Sequence, residues 1–183
     1  MANEISVYGV EGKNMKLLET VSIPVSLYES TQGRYFVGQS ENLYTGGGLS
    51  AWAGLFNPHN SNINLFANVF TISNFSEDYL TVEIWLNAEF EQKGIVSDKV
   101  SPANTALKPR PKNRVEIRYL ESTTMAPQSG INVYERIVPP NTTLVAEEDG
   151  KFIESECGNY TVYIKSTSEK LNRSVVAFGW WEK

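Results

Sequence analysis

The chain is poor in the side chains on which most enzyme sites depend. Its 183 residues include one cysteine, Cys157, and one histidine, His59. A single cysteine excludes an intrachain disulfide, and a zinc site of the histidine–cysteine type needs more ligands than these two residues supply. Any Ser-His-Asp or Cys-His arrangement would have to use His59, which lies in the turn-rich segment NPHNSN. We therefore predict that the protein is not an enzyme.

Basic charge is also scarce. The 16 lysines and arginines are outnumbered by 21 acidic residues, which gives a net charge of -5. Nucleic acids and anionic membranes bind basic surfaces, so we predict no nucleic-acid partner. No run approaches the roughly 20 apolar residues of a membrane span, and no secretory signal is visible at the N-terminus. We therefore expect no membrane insertion, and a location in the cytoplasm or in a released or coat assembly.

What the chain has in abundance is strand-like segments separated by turn signals. Apolar and polar residues alternate in Leu80 to Phe90 and in Val115 to Leu120, as in strands with one buried face. In Ile63 to Phe75, apolar residues occur at both odd and even positions, which predicts a strand that is buried on both faces. The last third adds the segments INVYERIV, TTLVAEE, FIESE, YTVYIKS and RSVVAFGWWE. No window keeps the spacing of a helix. About ten strands with frequent turns predict an all-β, antiparallel β-sandwich that is jelly-roll-like.

The N-terminal residues differ from the rest. Pro24 interrupts the run VSIPVSLY, which otherwise could be a strand. We predict that residues 1–32 form an extended arm or edge segment and that residues 33–183 form a single β-sandwich domain. Residues 91–113 are predicted to be a long polar connection, because they contain three prolines.

Acidic residues cluster around one predicted turn. Glu147, Glu148 and Asp149 precede Gly150, and a D-G hairpin at this point would bring them near Glu154. Calcium binding and glycoside hydrolysis both require carboxylates in proximity, so the three residues are a weak calcium candidate. The spacing does not match an EF-hand loop, and an acidic hairpin turn explains the same residues. We predict no metal site and no cofactor.

Aromatic side chains are the remaining candidates for binding. The four tryptophans, with nine tyrosines and eight phenylalanines, exceed what a minimal core needs. Consecutive residues of a strand point to opposite faces, so one of Trp180 and Trp181 can be buried while the other faces solvent or a partner. Exposed aromatics suit sugar stacking or subunit contacts, although packing under the arm would explain them equally well. The candidate binding residues are Trp52, Trp85, Trp180 and Trp181.

Several segments carry a resemblance to a known family: YFVGQ, AWAGLFNP, NLFANVFTISNFS, PANTALKP, INVYERIVPPNTTLVAEEDGKF and VAFGWWE. Over roughly residues 25–183 the chain resembles small uncharacterised proteins of clostridia and bacilli that form a domain of unknown function. The resemblance implies a bacterial origin and a compact β-fold. It supplies no activity, cofactor or catalytic residue.

Three functional hypotheses follow. The first is a non-enzymatic β-sandwich that works by assembly or binding, as a homo-oligomer or on a glycan or protein surface. The second is a carbohydrate-binding module that uses an exposed tryptophan as a stacking platform. The third is an acid-based glycan hydrolase around Glu147 to Glu156.

Overall fold

The computed structural model describes residues 22–183, which form two antiparallel sheets packed face to face. This confirms the predicted all-β sandwich. One helix and twelve strands lie within these residues: α1 (Val25–Thr31), β1 (Tyr35–Gln39), β2 (Leu43–Thr45), β3 (Ser50–Phe56), β4 (Leu65–Asn74), β5 (Leu80–Glu89), β6 (Ile95–Val96), β7 (Val100–Pro102), β8 (Glu116–Thr123), β9 (Ser129–Val138), β10 (Thr143–Glu154), β11 (Asn159–Lys165) and β12 (Asn172–Glu182).

The strand order separates two kinds of sheet edge. The first sheet runs β10-β4-β12-β1-β7, with β2 also paired to β12, and the second runs β6-β8-β3-β11-β5-β9. On one side of the sandwich the edges are the short strands β6 and β7. On the other side they are the long strands β9 and β10. The strand β12 comes latest in the chain, yet it lies in the interior of the first sheet between β4 and β1.

Alternation along the strands builds the core. In β5, Leu80, Val82 and Ile84 are fully buried between the sheets. In β12 the same inward face is formed by Val176 and Phe178 together with Trp180. Each such side chain contributes roughly 1.5–3 kcal/mol when it leaves water. The same parity sends the intervening residues of each strand to the outer faces of the sandwich.

The predicted extended arm contains a helix. The prediction of extended chain is wrong for Val25–Thr31, which form α1 after Pro24, because proline is tolerated at the start of a helix. The backbone N–H of Tyr28 donates to the Pro24 carbonyl at 3.0 Å. Buried Glu29 accepts from Arg34 at 2.6 Å and fixes the helix to the start of β1. Residues 1–21 of the predicted arm lie outside the described residues. In the described part, no helix is long and apolar enough to cross a membrane.

The predicted D-G hairpin is also wrong. The strand β10 continues past this point along β4, with Glu147 opposite Val69 and Phe152 opposite Ala67. Asp149 and Gly150 have φ values of 52° and 72°, so the left-handed pair forms a bulge inside one strand. The long connection at 91–113 likewise differs from its prediction, because the short strands β6 and β7 lie within it.

Candidate functional site

The paired tryptophans of β12 are both buried. Trp180 points inward, is fully buried and stacks on Phe36 with ring centroids 5.9 Å apart. Trp181 points to the outer face of the first sheet, but only 5% of it is exposed. The expectation that one of the pair would face solvent is therefore not met.

Neighbouring strands cover Trp181. Its ring stacks on Phe66 of β4 at 5.4 Å and on Tyr35 of β1 at 6.5 Å. The backbone of Gly150, in the bulge of β10, packs against the far edge of the indole. The bulge that replaces the predicted hairpin thus closes the outer side of this aromatic cluster.

The other two tryptophans lie on the outer face of the second sheet. Trp52 is 1% exposed because Phe90 stacks on it at 4.4 Å and Phe56 packs at 5.7 Å. Trp85 is half-buried, and its indole N–H donates to Glu83 Oε2 at 2.8 Å. Of the four candidate tryptophans, Trp85 alone is not fully buried.

The structure does not direct the acidic cluster toward a common point. Glu147 and Asp149 are exposed, whereas Glu148 is buried between the sheets. There its carboxylate accepts from the Tyr160 hydroxyl at 3.4 Å and lies 3.8 Å from Arg136. Burial and the Glu148 charge raise the pKa of Tyr160. Among the described residues, no group of three or more His, Cys, Asp and Glu side chains is arranged to hold a metal ion.

A different pair of chemically active residues does meet. Cys157 Sγ lies 3.6 Å from His59 Nδ1, and both residues are exposed. The turn that carries Cys157 docks on the NPHNSN segment, because the Cys157 N–H donates to the Asn57 carbonyl at 2.9 Å. The two residues are 98 positions apart, so no local pattern could have paired them. In the described part, His59 makes no other side-chain hydrogen bond that would orient it as a base.

The outer face of the first sheet is unusually apolar. Register places its outward residues in rows across the strands, from β10 on one side to β7 on the other. The first row contains Val145, Thr71, Ala177 and Gln39. The second contains Glu147, Val69, Gly179, Val37 and Ser101. Glu147 is the one ionisable residue in the two rows.

The second sheet provides an internal comparison. Its outer face carries the ion pairs Lys165–Glu83 and Arg118–Glu116, with Glu135 beside them on β9. A solvated face of an antiparallel sheet ordinarily has this polar composition. The second sheet also exposes Ile137, but the two rows of the first sheet hold a single ionisable residue, and the exposed face of the first sheet is the candidate functional site.

A groove of about 610 Å³ runs along this face. Its floor is formed by Ala177 and Gly179 of β12, and its walls by Val69 of β4, Val37 of β1 and the segment 98–101. A Cβ at Gly179 would collide with the Tyr35 hydroxyl and with Val69, so a larger residue cannot occupy the floor there. The groove therefore depends on small residues at the outward positions of β12.

Charged side chains lie at the β7 end of the groove. Lys99 pairs with Glu41 at 2.7 Å, and Arg110 donates to Ser101 Oγ at 2.7 Å. This face was not predicted from the sequence. The run VVAFGWW could have indicated it, because apolar residues at consecutive positions of a strand give both faces of that strand an apolar surface.

The chain belongs to a family of unknown function (DUF6143), whose family model matches residues 6–183. The match confirms the predicted membership of an uncharacterised family. No curated protein and no solved structure matches the chain.

Proposed function

We propose that this protein is a non-enzymatic β-sandwich that works by assembly or binding through the outer face of its first sheet, and that it self-associates through this face as a homo-oligomer. The observation that supports the proposal is the apolar outer face itself. On it Val145, Ile153 and Val37 are 59%, 54% and 40% exposed. Exposed apolar side chains on a sheet face with few charges are suited to an interaction site.

Self-association through this face would be favourable because it removes exposed apolar surface from water. Each square ångström of apolar surface that leaves water contributes about 25 cal/mol. Covering the rows of Val, Ala, Gly and Thr would therefore be favourable. Covering the outer face of the second sheet would instead be opposed by the loss of hydration of its ion pairs.

The charge distribution also favours self-association through this face. The protein carries a net charge of -5, so two copies repel each other at long range. The two rows include one ionisable residue, Glu147, and the groove beside them is lined by both Asp98 and Lys99, so few uncompensated like charges would meet there. Approach through the second sheet would instead bury the ion pairs Lys165–Glu83 and Arg118–Glu116, together with Glu135.

Sedimentation velocity across micromolar concentrations tests the proposal. We expect a concentration-dependent oligomer in the wild type and a shift to monomer in Val37→Glu, which places a charge at the groove. Ile137→Glu is the matched control, because Ile137 is 65% exposed on the outer edge of the second sheet. A wild type that stays monomeric throughout, or equal effects of the two variants, would contradict the proposal.

A carbohydrate-binding role is the second candidate, and Trp85 supports it. Its half-buried ring lies in register with Asn132 of β9, and Glu83 accepts its indole N–H. An aromatic ring with a neighbouring amide and carboxylate is a suitable sugar-stacking platform. A glycan array tests this role, with Trp85→Ala as the variant that should lose any hit. An array without hits would remove the candidate.

A further inference from the structure

We propose that His59 and Cys157 are two ligands of a binding site for a thiophilic divalent cation such as Zn²⁺, and that the remaining coordination positions are filled from outside the chain. This site is independent of the proposed function, because its ligands lie in connections between the sheets and not on the outer face of the first sheet. One cysteine and one histidine exclude a closed four-ligand site within a single chain. They do not exclude a site that water or a second copy completes.

The strand topology brings the two ligands together. His59 lies in the connection from β3 to β4, and Cys157 lies in the connection from β10 to β11, so each belongs to a segment that crosses between the sheets. The strands β3 and β11 are neighbours in the second sheet, and β4 and β10 are neighbours in the first. Because these neighbours are antiparallel, the end of β3 meets the start of β11, and the start of β4 meets the end of β10. The two connections therefore lie side by side at one end of the sandwich.

Backbone hydrogen bonds hold the two connections against each other. The Cys157 N–H donates to the Asn57 carbonyl, and the Asn57 N–H donates to the Gly158 carbonyl, both at 2.9 Å. The carboxylate of Glu156 accepts from the Asn62 N–H at 2.7 Å. These bonds position the segments that carry both ligands, while the thiol and the imidazole remain exposed. A cation can therefore reach the pair from solvent without disturbing the core.

The distance between the two donor atoms suits a metal ion. Cys157 Sγ and His59 Nδ1 are 3.6 Å apart. Zinc binds a thiolate sulfur at about 2.3 Å and an imidazole nitrogen at about 2.0–2.1 Å, so two such ligands of one tetrahedral ion are separated by about 3.6 Å.

Without a cation, the same two atoms share a hydrogen bond. On binding, the thiol releases its proton to solvent, and the sulfur and the imidazole nitrogen each donate a lone pair to the metal.

The segment that carries His59 also contains two buried oxygen atoms without a protein partner. They are Asn57 Oδ1 and Ser61 Oγ, whose residues are 2% and 8% exposed; among the described residues, neither atom has a hydrogen-bond partner. Buried oxygens of this kind are ordinarily satisfied by ordered water. Both residues are two positions from His59, so water molecules that stay bound to a cation at His59 are suitable donors.

Titration of the full chain with Zn²⁺ and Co²⁺ tests the site. We expect Zn²⁺ to bind, and Co²⁺ to give the charge-transfer band of a cobalt–thiolate bond, because Cys157 is the one thiol in the chain. Cys157→Ser and His59→Ala should each weaken Zn²⁺ binding by at least about tenfold, the lower end of what the loss of an outer-shell partner costs. Glu156→Gln is the matched control and should bind as the wild type does, because the Glu156 carboxylate is held by a backbone N–H.

A ligand exchange separates coordination from a structural role. Cys157→His keeps two ligands and should retain Zn²⁺ binding, but it should lose the cobalt–thiolate band. Absence of this band in the wild type, or unchanged Zn²⁺ affinity in His59→Ala, would overturn the site. Loss of binding in Glu156→Gln would overturn the assignment of His59 and Cys157 as the two protein ligands.

The stoichiometry shows what completes the coordination. It is measured in Val37→Glu, in which we expect association through the first sheet to be lost. One Zn²⁺ per chain without a change in sedimentation means that water fills the remaining positions. One Zn²⁺ per two chains, with a metal-dependent dimer, means that a second copy supplies the same pair of ligands. Both results support the site. Failure to bind either ion would overturn it and leave the proposed function standing, since sedimentation of the metal-free wild type tests that function separately.

Discussion

Trp181 and Gly150 pack so closely that the indole occupies the space in which any other residue at position 150 would place its Cβ. The contact joins β12 to the bulge of β10 across β4. It explains why an outward-facing tryptophan is buried, and why the D-G pair serves as a bulge in this fold. Gly150 is required here both for its φ of 72° and for its missing side chain.

Gly150→Ala should therefore lower the free energy of unfolding by about 3 kcal/mol, the sum of a left-handed backbone penalty and a clash with Trp181. Gly48→Ala is the matched control: its φ is 81°, but no atom lies within 4 Å of the added Cβ. It should cost about 1 kcal/mol through the backbone alone. Urea unfolding of both variants measures the difference. Equal losses would show that the contact with Trp181 contributes nothing.

Glu154 should make stability depend on pH. Burial raises the pKa of its carboxyl from 4.5 to about 7 in the folded protein. The folded state therefore binds more protons than the unfolded state between these values, and the free energy of unfolding falls as pH rises through that window. Glu154→Gln cannot ionise and should be more stable than the wild type at pH 8 by at most about 3 kcal/mol. At pH 4 the advantage should disappear.

Urea unfolding at several pH values tests the role of Glu154. Exposed Glu147→Gln serves as the control and should follow the wild-type pH profile. If the free energy of unfolding of Glu154→Gln fell between pH 4.5 and 7 as steeply as that of the wild type, Glu154 would not be the group responsible for the pH dependence.

Glu182 should anchor the end of β12 to the loop before β8. Its buried carboxylate accepts the backbone N–H groups of Arg114 and Val115 at 3.0 Å and the indole N–H of Trp180 at 3.1 Å. Glu182→Ala would leave these donors without partners and should cost about 3 kcal/mol. Glu182→Gln keeps one acceptor oxygen and should cost less. Thermal unfolding ranks the two variants, and Glu169→Ala at an exposed position provides the baseline.

Trp85 should account for most of the fluorescence that a soluble quencher can reach. Trp52, Trp180 and Trp181 are each at most 5% exposed, whereas Trp85 is half-buried at the surface. Trp85→Phe should therefore leave an emission that is blue-shifted and weakly quenched by acrylamide. Trp52→Phe should keep the wild-type quenching. Strong quenching that persists in Trp85→Phe would show that another indole is accessible.

The strands and the core were predictable because alternation carries the information locally. Leu80, Val82 and Ile84 repeat at every second position, and the structure buries each of them. The seven-residue helix α1 was not predictable in the same way. It is too short to show a period, and the Glu29–Arg34 ion pair holds it in place through a residue beyond its end.

The candidate site depended on partners that lie far apart in the sequence. A D-G pair between two apolar segments predicts a hairpin, but β4 pairs with both segments and makes them one strand. The outer face of the first sheet could not be predicted as the candidate site for a related reason. Ala177 and Gly179 resemble ordinary strand residues until Thr71, Val69 and Val37 are placed beside them by register.

The position of β12 also determines when the protein can fold. This strand forms the ladders with β1 and β4 around which the first sheet is built, yet it is synthesised after every other strand described. During translation, Phe36 and Phe70 must wait for Phe178 and Trp180 before their core is complete. Pairing over such long separations is slow and exposes apolar segments meanwhile. We therefore expect the first sheet to stay incomplete until β12 has been synthesised.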